Sequence, residues 1–205
     1  MQPLANALQA AGYVVHNLDY PSRTAPIEQL ADRAIAPAVT ACRADGATRI
    51  HFVTHSLGGI LVRQYLAMHS MPDLGRVVML GPPNQGSEVV DRLGSWWLFA
   101  AINGPAGRQL GTGAASTPHR LGPVSYPVGV IAGDHSINWL NSLLIPGPDD
   151  GKVSVARTRV SGMTDHLVLP CSHPFLMRDR TAIRQAIHFL THGRFHATAS
   201  LTPGP

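Results

Sequence analysis

A chain of 205 residues is long enough to bury a sizeable core and is most simply a single domain. Hydrophobic residues make up 44% and charged residues 14% of it, against roughly 25% charged residues in an average soluble domain, which excludes a disordered chain. The formal net charge is +4, and the basic residues are scattered rather than clustered. This pattern argues against a nucleic-acid partner.

The amino terminus shows no targeting signal. The residues after Met1 carry neither a basic leader nor an apolar stretch of signal-peptide length, and the longest aromatic and apolar run, residues 96–102, is well short of the roughly 20 residues that span a bilayer. By default we expect a cytoplasmic protein without a transmembrane segment. Cys42 and Cys171 form no CxxC pair, so neither a disulfide framework nor a zinc site is expected. The oligomeric state is left open.

The first 50 residues predict helix, strand and helix. Leu4, Leu8 and Ala11 form one apolar helical stripe, which Gly12 ends. Residues 13–20 are rich in residues that favour strands and stop at a Pro-Ser pair, so we predict a strand there. A long helix follows over residues 27–44, in which Pro37 is expected to introduce a kink.

The centre of the chain is a strand that runs directly into a serine and a helix. Residues 50–53 are an apolar strand candidate, the sequence Thr-His-Ser-Leu-Gly-Gly follows at 54–59, and residues 59–69 predict a helix. A strand, a sharp turn and a helix are the context that a nucleophilic Ser56 requires. The alternative is that Ser56 only caps the helix. His55 should point away from Ser56 around such a turn, so we interpret it as a pocket or packing residue rather than the base.

Three further short strands are predicted, over residues 76–80, 128–132 and 166–169, with a final helix over 181–190. Strands that alternate with helices indicate a mostly parallel sheet flanked by helices, an α/β fold. The loop 81–87 is a candidate wall of the site, and it follows the strand predicted over residues 76–80. It contributes three candidate pocket residues: Pro83, Asn84 and Gln85.

The segment 89–123 is the least regular part of the chain. It contains Trp96 and Trp97, which would suit a lid or the wall of an acyl-chain pocket, and ordinary core packing is the alternative. We treat residues 1–196 as one domain with a candidate lid or insertion at about 89–123, and residues 197–205 as a flexible tail.

A serine nucleophile needs a base and an acid that orients the base. Of the 11 histidines, His173 lies in the loop after the last predicted strand, from which an imidazole can reach back over the sheet edge. For the acid, Asp134, Asp149 and Asp150 all lie between the last two strands. Position alone leaves the choice among these carboxylates open.

Together these segments resemble the α/β-hydrolase fold, and within it the bacterial lipase-like and esterase-like serine hydrolases. The loop 81–87 is similar to their Gly-x-Pro-x-x-Gly-Ser loop, and residues 149–153 resemble the Asp-Gly-x-Val segment that carries their acid. The resemblance implies a carboxylic-ester hydrolase, of a substrate that is a small molecule or lipid-like, with Ser56 as nucleophile, His173 as base and Asp150 as acid in preference to Asp134. It implies no metal and no organic cofactor.

Two positions around the serine bear on this resemblance. In the family, small residues two places either side of the nucleophile let helix and strand pass closely. Gly58 fits that requirement, whereas Thr54 departs from it and needs extra room.

The resemblance also predicts an incomplete oxyanion site. One donor would be the backbone N–H of Leu57, and the other would come from a loop after a strand that precedes the first helix. Because the chain starts at that helix, we expect a truncated or misassigned start at Met1 and an N-terminally truncated α/β-hydrolase fold. Two alternatives follow for function: an inactive binding or interaction protein with this fold, or an acyltransferase that uses the same residues.

Overall fold

The computed structural model describes residues 1–93, 104–137 and 142–196. Within them, four strands form one parallel sheet in the order β1-β2-β3-β4. Because every strand runs the same way, their carboxyl ends meet at one edge of the sheet, where the loops that follow them converge. The strands are β1 (Ile50–His55), β2 (Leu74–Leu80), β3 (Val128–Gly133) and β4 (Asp165–Leu169).

Helices cover both faces of this sheet. Along β2, Val77 and Met79 pack into one apolar cluster with the helices Ile27–Ala44 and Leu57–Met68, while Val78 and Leu80 pack into a second cluster with the helices Gln2–Ala10 and Arg180–His192. Side chains that alternate between two buried faces explain why this strand is a continuous apolar run. The helices are labelled α1 (Gln2–Ala10), α2 (Ile27–Ala44), α3 (Leu57–Met68), α4 (Glu88–Leu93), α5 (Thr117–Arg120) and α6 (Arg180–His192), and a further helical stretch covers residues 104–108.

Most of the predicted elements are confirmed. Each of the four strands predicted from residue 50 onward is present, as are the first helix, the helix that follows the serine and the final helix. The helix predicted over 27–44 has those limits and contains Pro37. No helix in the described residues is long and apolar enough to cross a membrane.

The strand predicted over residues 13–20 is wrong. These residues have no regular secondary structure, and Val14 and Leu18 are 78% and 46% exposed. One of its contacts is that of the Tyr13 ring, which lies edge-on to His51 with the ring centroids 6.0 Å apart. β1 pairs with β2 on one side only within the described sheet. A β-rich sequence without an adjacent backbone to pair with does not form a strand.

One part of the region 89–123, around Gln109, packs against α2. Residues 104–108 are helical, and the Gln109 side chain accepts a hydrogen bond from the backbone N–H of Ile27 at 2.7 Å and donates to the carboxylate of Glu28 at 2.9 Å. Trp96 and Trp97 lie outside the described residues, as does the predicted tail, 197–205. The lid therefore stays a prediction.

Candidate active site

Ser56 occupies a strained turn at the carboxyl end of the sheet. It stands between the last residue of β1 and the first residue of α3, with φ of 53° and ψ of −124°. It is the only described residue other than glycine with positive φ. This conformation costs of order 1–3 kcal/mol, and it persists because both sides are fixed: Ser56 N–H donates to the Leu80 carbonyl at 2.9 Å, and Gly59 N–H donates to the Ser56 carbonyl at 3.0 Å. Leu57 begins α3, so its N–H belongs to the helical turn that lacks intrahelical acceptors.

The start of α3 is packed more tightly at Gly59 than at Gly58. A Cβ added to Gly58 would lie 3.5 Å from Thr54 Cβ, an ordinary contact, whereas one added to Gly59 would lie 3.2 Å from Pro82 Cβ and 3.3 Å from Met79 Sδ. Gly58 lies beside Thr54, as expected, and Gly59 is the more tightly packed of the two glycines. The second glycine of the pair makes room for the β-branched Thr54.

The structure places Ser56, His173 and Asp150 in one hydrogen-bonded row. Ser56 Oγ lies 2.9 Å from His173 Nε2, and His173 Nδ1 lies 2.7 Å from Asp150 Oδ2. A carboxylate only accepts hydrogen bonds, so Nδ1 carries the ring proton and Nε2 is left as the acceptor of the Ser56 hydroxyl. This is the tautomer that a general base for the serine requires.

Backbone contacts hold the acid and the imidazole together. Asp150 Oδ1 accepts hydrogen bonds from the N–H groups of Lys152 at 3.0 Å and Val153 at 2.9 Å. The Asp150 carbonyl also accepts from His173 N–H at 2.8 Å. The side chains of His173 and Asp150 are only 4% and 0% exposed, so water competes little for this pair.

The other two aspartates lie in different surroundings. Asp134 Oδ1 pairs with His135 Nδ1 at 2.7 Å, and both of these side chains are substantially exposed. Asp149 is buried, and its Oδ1 accepts from Ser142 Oγ at 2.8 Å and from Gly151 N–H at 2.7 Å, which stabilises the loop before Asp150. Asp150 is the carboxylate that contacts His173.

Two glycines that the sequence analysis did not single out shape this site. Gly81 follows β2 with φ of 54°, and a Cβ there would lie 3.0 Å from Asp150 Oδ2 and 3.1 Å from His173 Nδ1. Gly133 ends β3 and lies against the backbone beside His173. The sequence signal was available: each glycine stands at the carboxyl end of a predicted strand, where any side chain would enter the site.

We expect Gly133→Ala to destabilise the fold by about 3 kcal/mol, as overpacking of a close-packed interior does. Its Cβ would lie 2.1 Å from the Cys171 carbonyl oxygen and 3.0 Å from Asp150 Cβ, and the backbone that carries His173 would have to move. Urea denaturation measures the change. Gly113→Ala is the matched control because no atom lies within 4 Å of its added Cβ, and equal destabilisation of the two variants would contradict the prediction.

His55 lies directly beside the row without joining it. Its Nε2 lies 2.9 Å from the His173 carbonyl oxygen, and the two imidazole rings are tilted with centroids 4.8 Å apart. Burial, followed by the proximity of His173, lowers the pKa of His55 to about 4. His55 is therefore neutral at neutral pH and packs within the site.

Two of the three predicted pocket residues in the loop 81–87, Pro83 and Asn84, are buried, and the third, Gln85, is half-buried. Asn84 is 2% exposed; its amide donates to the Thr158 carbonyl at 2.8 Å, and its Oδ1 accepts from the buried Arg63 at 3.1 Å. Pro83 is buried, and Gln85 donates to the Arg159 carbonyl at 3.1 Å. The pocket assignment of Asn84 is thus corrected: its polar groups satisfy interior partners. In the described part of the chain, no group of three or more His, Cys, Asp or Glu side chains could hold a metal ion.

A parallel sheet with a serine on a strained strand-to-helix turn, followed along the chain by an acid and a histidine, defines an α/β hydrolase. The sequence profile described as "Alpha/beta hydrolase family" matches residues 1–194. The chain belongs to this family, and its broad class is that of a hydrolase. Among curated proteins, none matches the sequence.

Solved structures with the same fold include two lipases and a phospholipase. Bacillus licheniformis lipase BlEst2 in its mature form is 19% identical with a TM-score of 0.75, over 91% of this chain and 83% of that one. Paleococcus ferrophilus monoacylglycerol lipase is 16% identical with a TM-score of 0.55, over 93% and 88%. Phospholipase PlaB from Legionella pneumophila is 21% identical with a TM-score of 0.58, over 77% and 41%. At these identities the likeness shows the fold alone.

Proposed function

We propose that the protein is a serine hydrolase that cleaves a carboxylic ester through an acyl-enzyme on Ser56. The observation that carries the proposal is the row in which His173 Nε2 accepts from Ser56 Oγ at 2.9 Å and His173 Nδ1 donates to Asp150 Oδ2 at 2.7 Å. A serine hydroxyl is a weak nucleophile at neutral pH, and an adjacent oriented base is what activates it. The strained φ of 53° at Ser56 supports the same role.

Each residue of the row then has a defined step. As Ser56 Oγ attacks the ester carbonyl, its proton passes to His173 Nε2, and the negative charge that develops on the carbonyl oxygen faces the N–H of Leu57. Asp150 stabilises the imidazolium. His173 next gives the proton to the leaving alkoxide as the carbon–oxygen bond breaks. Water then gives a proton to the same imidazole as it attacks the acyl carbon. His173 passes this proton to Ser56 Oγ as the bond between Oγ and the acyl carbon breaks, which releases the carboxylic acid and frees Ser56.

The substrate that we propose is a lipid-like ester. The similar structures are a lipase, a monoacylglycerol lipase and a phospholipase, and all three names denote enzymes that act on lipids. Transfer of the acyl group to an acceptor other than water would use the same Ser56 and His173, so acceptor choice distinguishes an acyltransferase from a hydrolase.

The test is labelling of the purified chain with a fluorophosphonate probe, which reacts with activated serines. We expect the wild-type chain to be labelled with one-to-one stoichiometry and Ser56→Ala to be unlabelled, because Ser56 Oγ lies within hydrogen-bond reach of His173 Nε2, at 2.9 Å. Ser116→Ala is the matched control, since Ser116 Oγ also lies near a histidine nitrogen, that of His119 at 3.1 Å. Labelling that survives Ser56→Ala would exclude Ser56 as the nucleophile.

A binding protein without turnover is the second candidate. The observation that favours it is the unpaired edge of β1, which pairs only with β2 in the described sheet. In the resemblance described above, the second oxyanion donor comes from a loop after a further strand, and no described strand lies at this edge. Losing one oxyanion donor typically costs about 100 to 1,000-fold in rate. A folded wild-type chain that is neither labelled by the probe nor able to hydrolyse p-nitrophenyl esters would support this candidate.

A further inference from the structure

The backbone of His173 is held by the residue that immediately precedes Ser56. His55 is the last residue of β1, and its Nε2 lies 2.9 Å from the His173 carbonyl oxygen. A carbonyl oxygen only accepts, so Nε2 carries the proton and donates this hydrogen bond. The contact joins residues 118 positions apart in the sequence, and it belongs to neither the β-sheet nor a helix.

Three hydrogen bonds therefore hold His173 besides its contact with the Ser56 hydroxyl. Its N–H donates to the Asp150 carbonyl at 2.8 Å, its ring donates to Asp150 Oδ2 at 2.7 Å, and its carbonyl accepts from His55. The two bonds to Asp150 act from the acid loop. The bond from His55 is the one that ties His173 to β1, the strand that leads into Ser56.

This arrangement links the base and the hydroxyl to the same strand end. Because His55 and Ser56 are consecutive, a displacement of the end of β1 moves the hydroxyl and the anchor of His173 together. The distance between Ser56 Oγ and His173 Nε2 is then preserved. A misplacement of about 1 Å between reacting groups can cost on the order of 100-fold in rate, so a shared anchor matters.

We propose that His55 is a positioning residue, which holds His173 through its backbone carbonyl and keeps the imidazole within reach of the Ser56 hydroxyl. This inference rests on the proposed function, in which His173 acts as base. It assigns to His55 a role different from that of a pocket wall, because the group that His55 contacts is the base rather than the substrate.

The histidine at this position also donates without adding charge. Burial lowers the pKa of His55 to about 4, and the neighbouring groups that act on it are His173, Asp150 and Lys152. A lysine could donate the same hydrogen bond, but its charge would oppose protonation of the adjacent His173. A neutral donor of the right length is what the geometry requires.

Side-chain length supplies the test. The amide nitrogen of glutamine reaches about as far from the backbone as imidazole Nε2, whereas that of asparagine falls short. We expect His55→Gln to keep kcat for p-nitrophenyl butyrate within about 3-fold of wild type. His55→Asn and His55→Leu should lower kcat about 10- to 100-fold with little change in KM. A pocket wall would instead alter KM, so a change confined to KM would overturn the proposal.

A second measurement needs no turnover. The proton on His173 Nδ1, bonded to Asp150, should give a low-field ¹H NMR signal that disappears in Asp150→Asn. We expect this signal in wild type and His55→Gln, and its broadening through exchange with water in His55→Asn and His55→Leu. An unchanged signal and unchanged kcat in His55→Leu would refute the role of His55. If the NMR signal behaves in this way across the variants but the wild type is not labelled at Ser56, the proposed function fails while the positioning contact stands.

Discussion

Replacing Asp150 by asparagine is expected to lower kcat for p-nitrophenyl esters about 10⁴-fold, the magnitude typical of this change in serine hydrolases. An asparagine amide can donate to His173 Nδ1, which favours the tautomer with the proton on Nε2. That proton would remove the acceptor that the Ser56 hydroxyl contacts at 2.9 Å. The charge that stabilises the imidazolium would also be lost.

Asp134→Asn is the matched control for this prediction. Asp134 also follows β3 in the chain, but its carboxylate pairs with the exposed His135, so kcat should stay within about 3-fold of wild type, as for surface substitutions that do not touch the site. In Asp150→Asn, the side-chain oxygen of the asparagine can still accept from the N–H groups of Lys152 and Val153. Urea denaturation checks that Asp150→Asn folds. Loss of activity in Asp134→Asn alone would exclude Asp150 as the acid.

The contrast between Asp134 and Asp150 shows which features of the site could not be predicted from the sequence. The buried strands could be predicted because an apolar run carries its own signal, and the serine turn could be predicted because strand, turn and helix are adjacent in sequence. The acid lies in a loop 17 residues after the end of β3. Only a resemblance favoured Asp150, since the contact with His173 depends on how two separate loops fold.

The wrong strand prediction over residues 13–20 has a different physical origin. Strand propensity describes how well a side chain fits a paired, half-buried surface, and pairing is a property of the neighbouring chain. Residues 50–55 carry a similar signal and form β1 because β2 lies beside them. Residues 13–20 remain irregular. The same reasoning explains why the hydrogen bond from His55 to the His173 carbonyl was missed, because nothing in the local sequence specifies its partner.

A buried arginine shows the same dependence on distant partners. Arg63 lies on α3 and is 4% exposed, and burial lowers the pKa of its guanidinium. Its described partners are oxygens without formal charge. Nη1 donates to the carbonyl and side-chain oxygens of Asn84 at 3.0 and 3.1 Å, and Nη2 donates to the carbonyls of Pro118 and Gly122 at 3.1 and 2.6 Å. One side chain thus connects α3 to the loop after β2 and to the segment around α5.

We expect Arg63→Met to lower the free energy of unfolding by about 3 kcal/mol or more, since methionine retains the apolar stem but leaves buried oxygens without donors, each at a cost of about 1–3 kcal/mol. Arg63→Lys should recover only part of the loss, because one ammonium cannot reproduce the planar fork that reaches both groups of acceptors. Urea denaturation followed by circular dichroism measures each value.

Arg43→Met supplies the comparison that separates burial from charge pairing. Arg43 forms a two-point ion pair with Asp73, with Nε to Oδ2 and Nη2 to Oδ1 both at 2.7 Å, yet its side chain is 49% exposed. Exposed ion pairs contribute little to stability because water screens them, so Arg43→Met should cost less than Arg63→Met although it removes a pair of formal charges. Equal losses in the two variants would mean that the oxygens around Arg63 find other donors, and would contradict the role of Arg63 in joining α3 to the loop at Asn84.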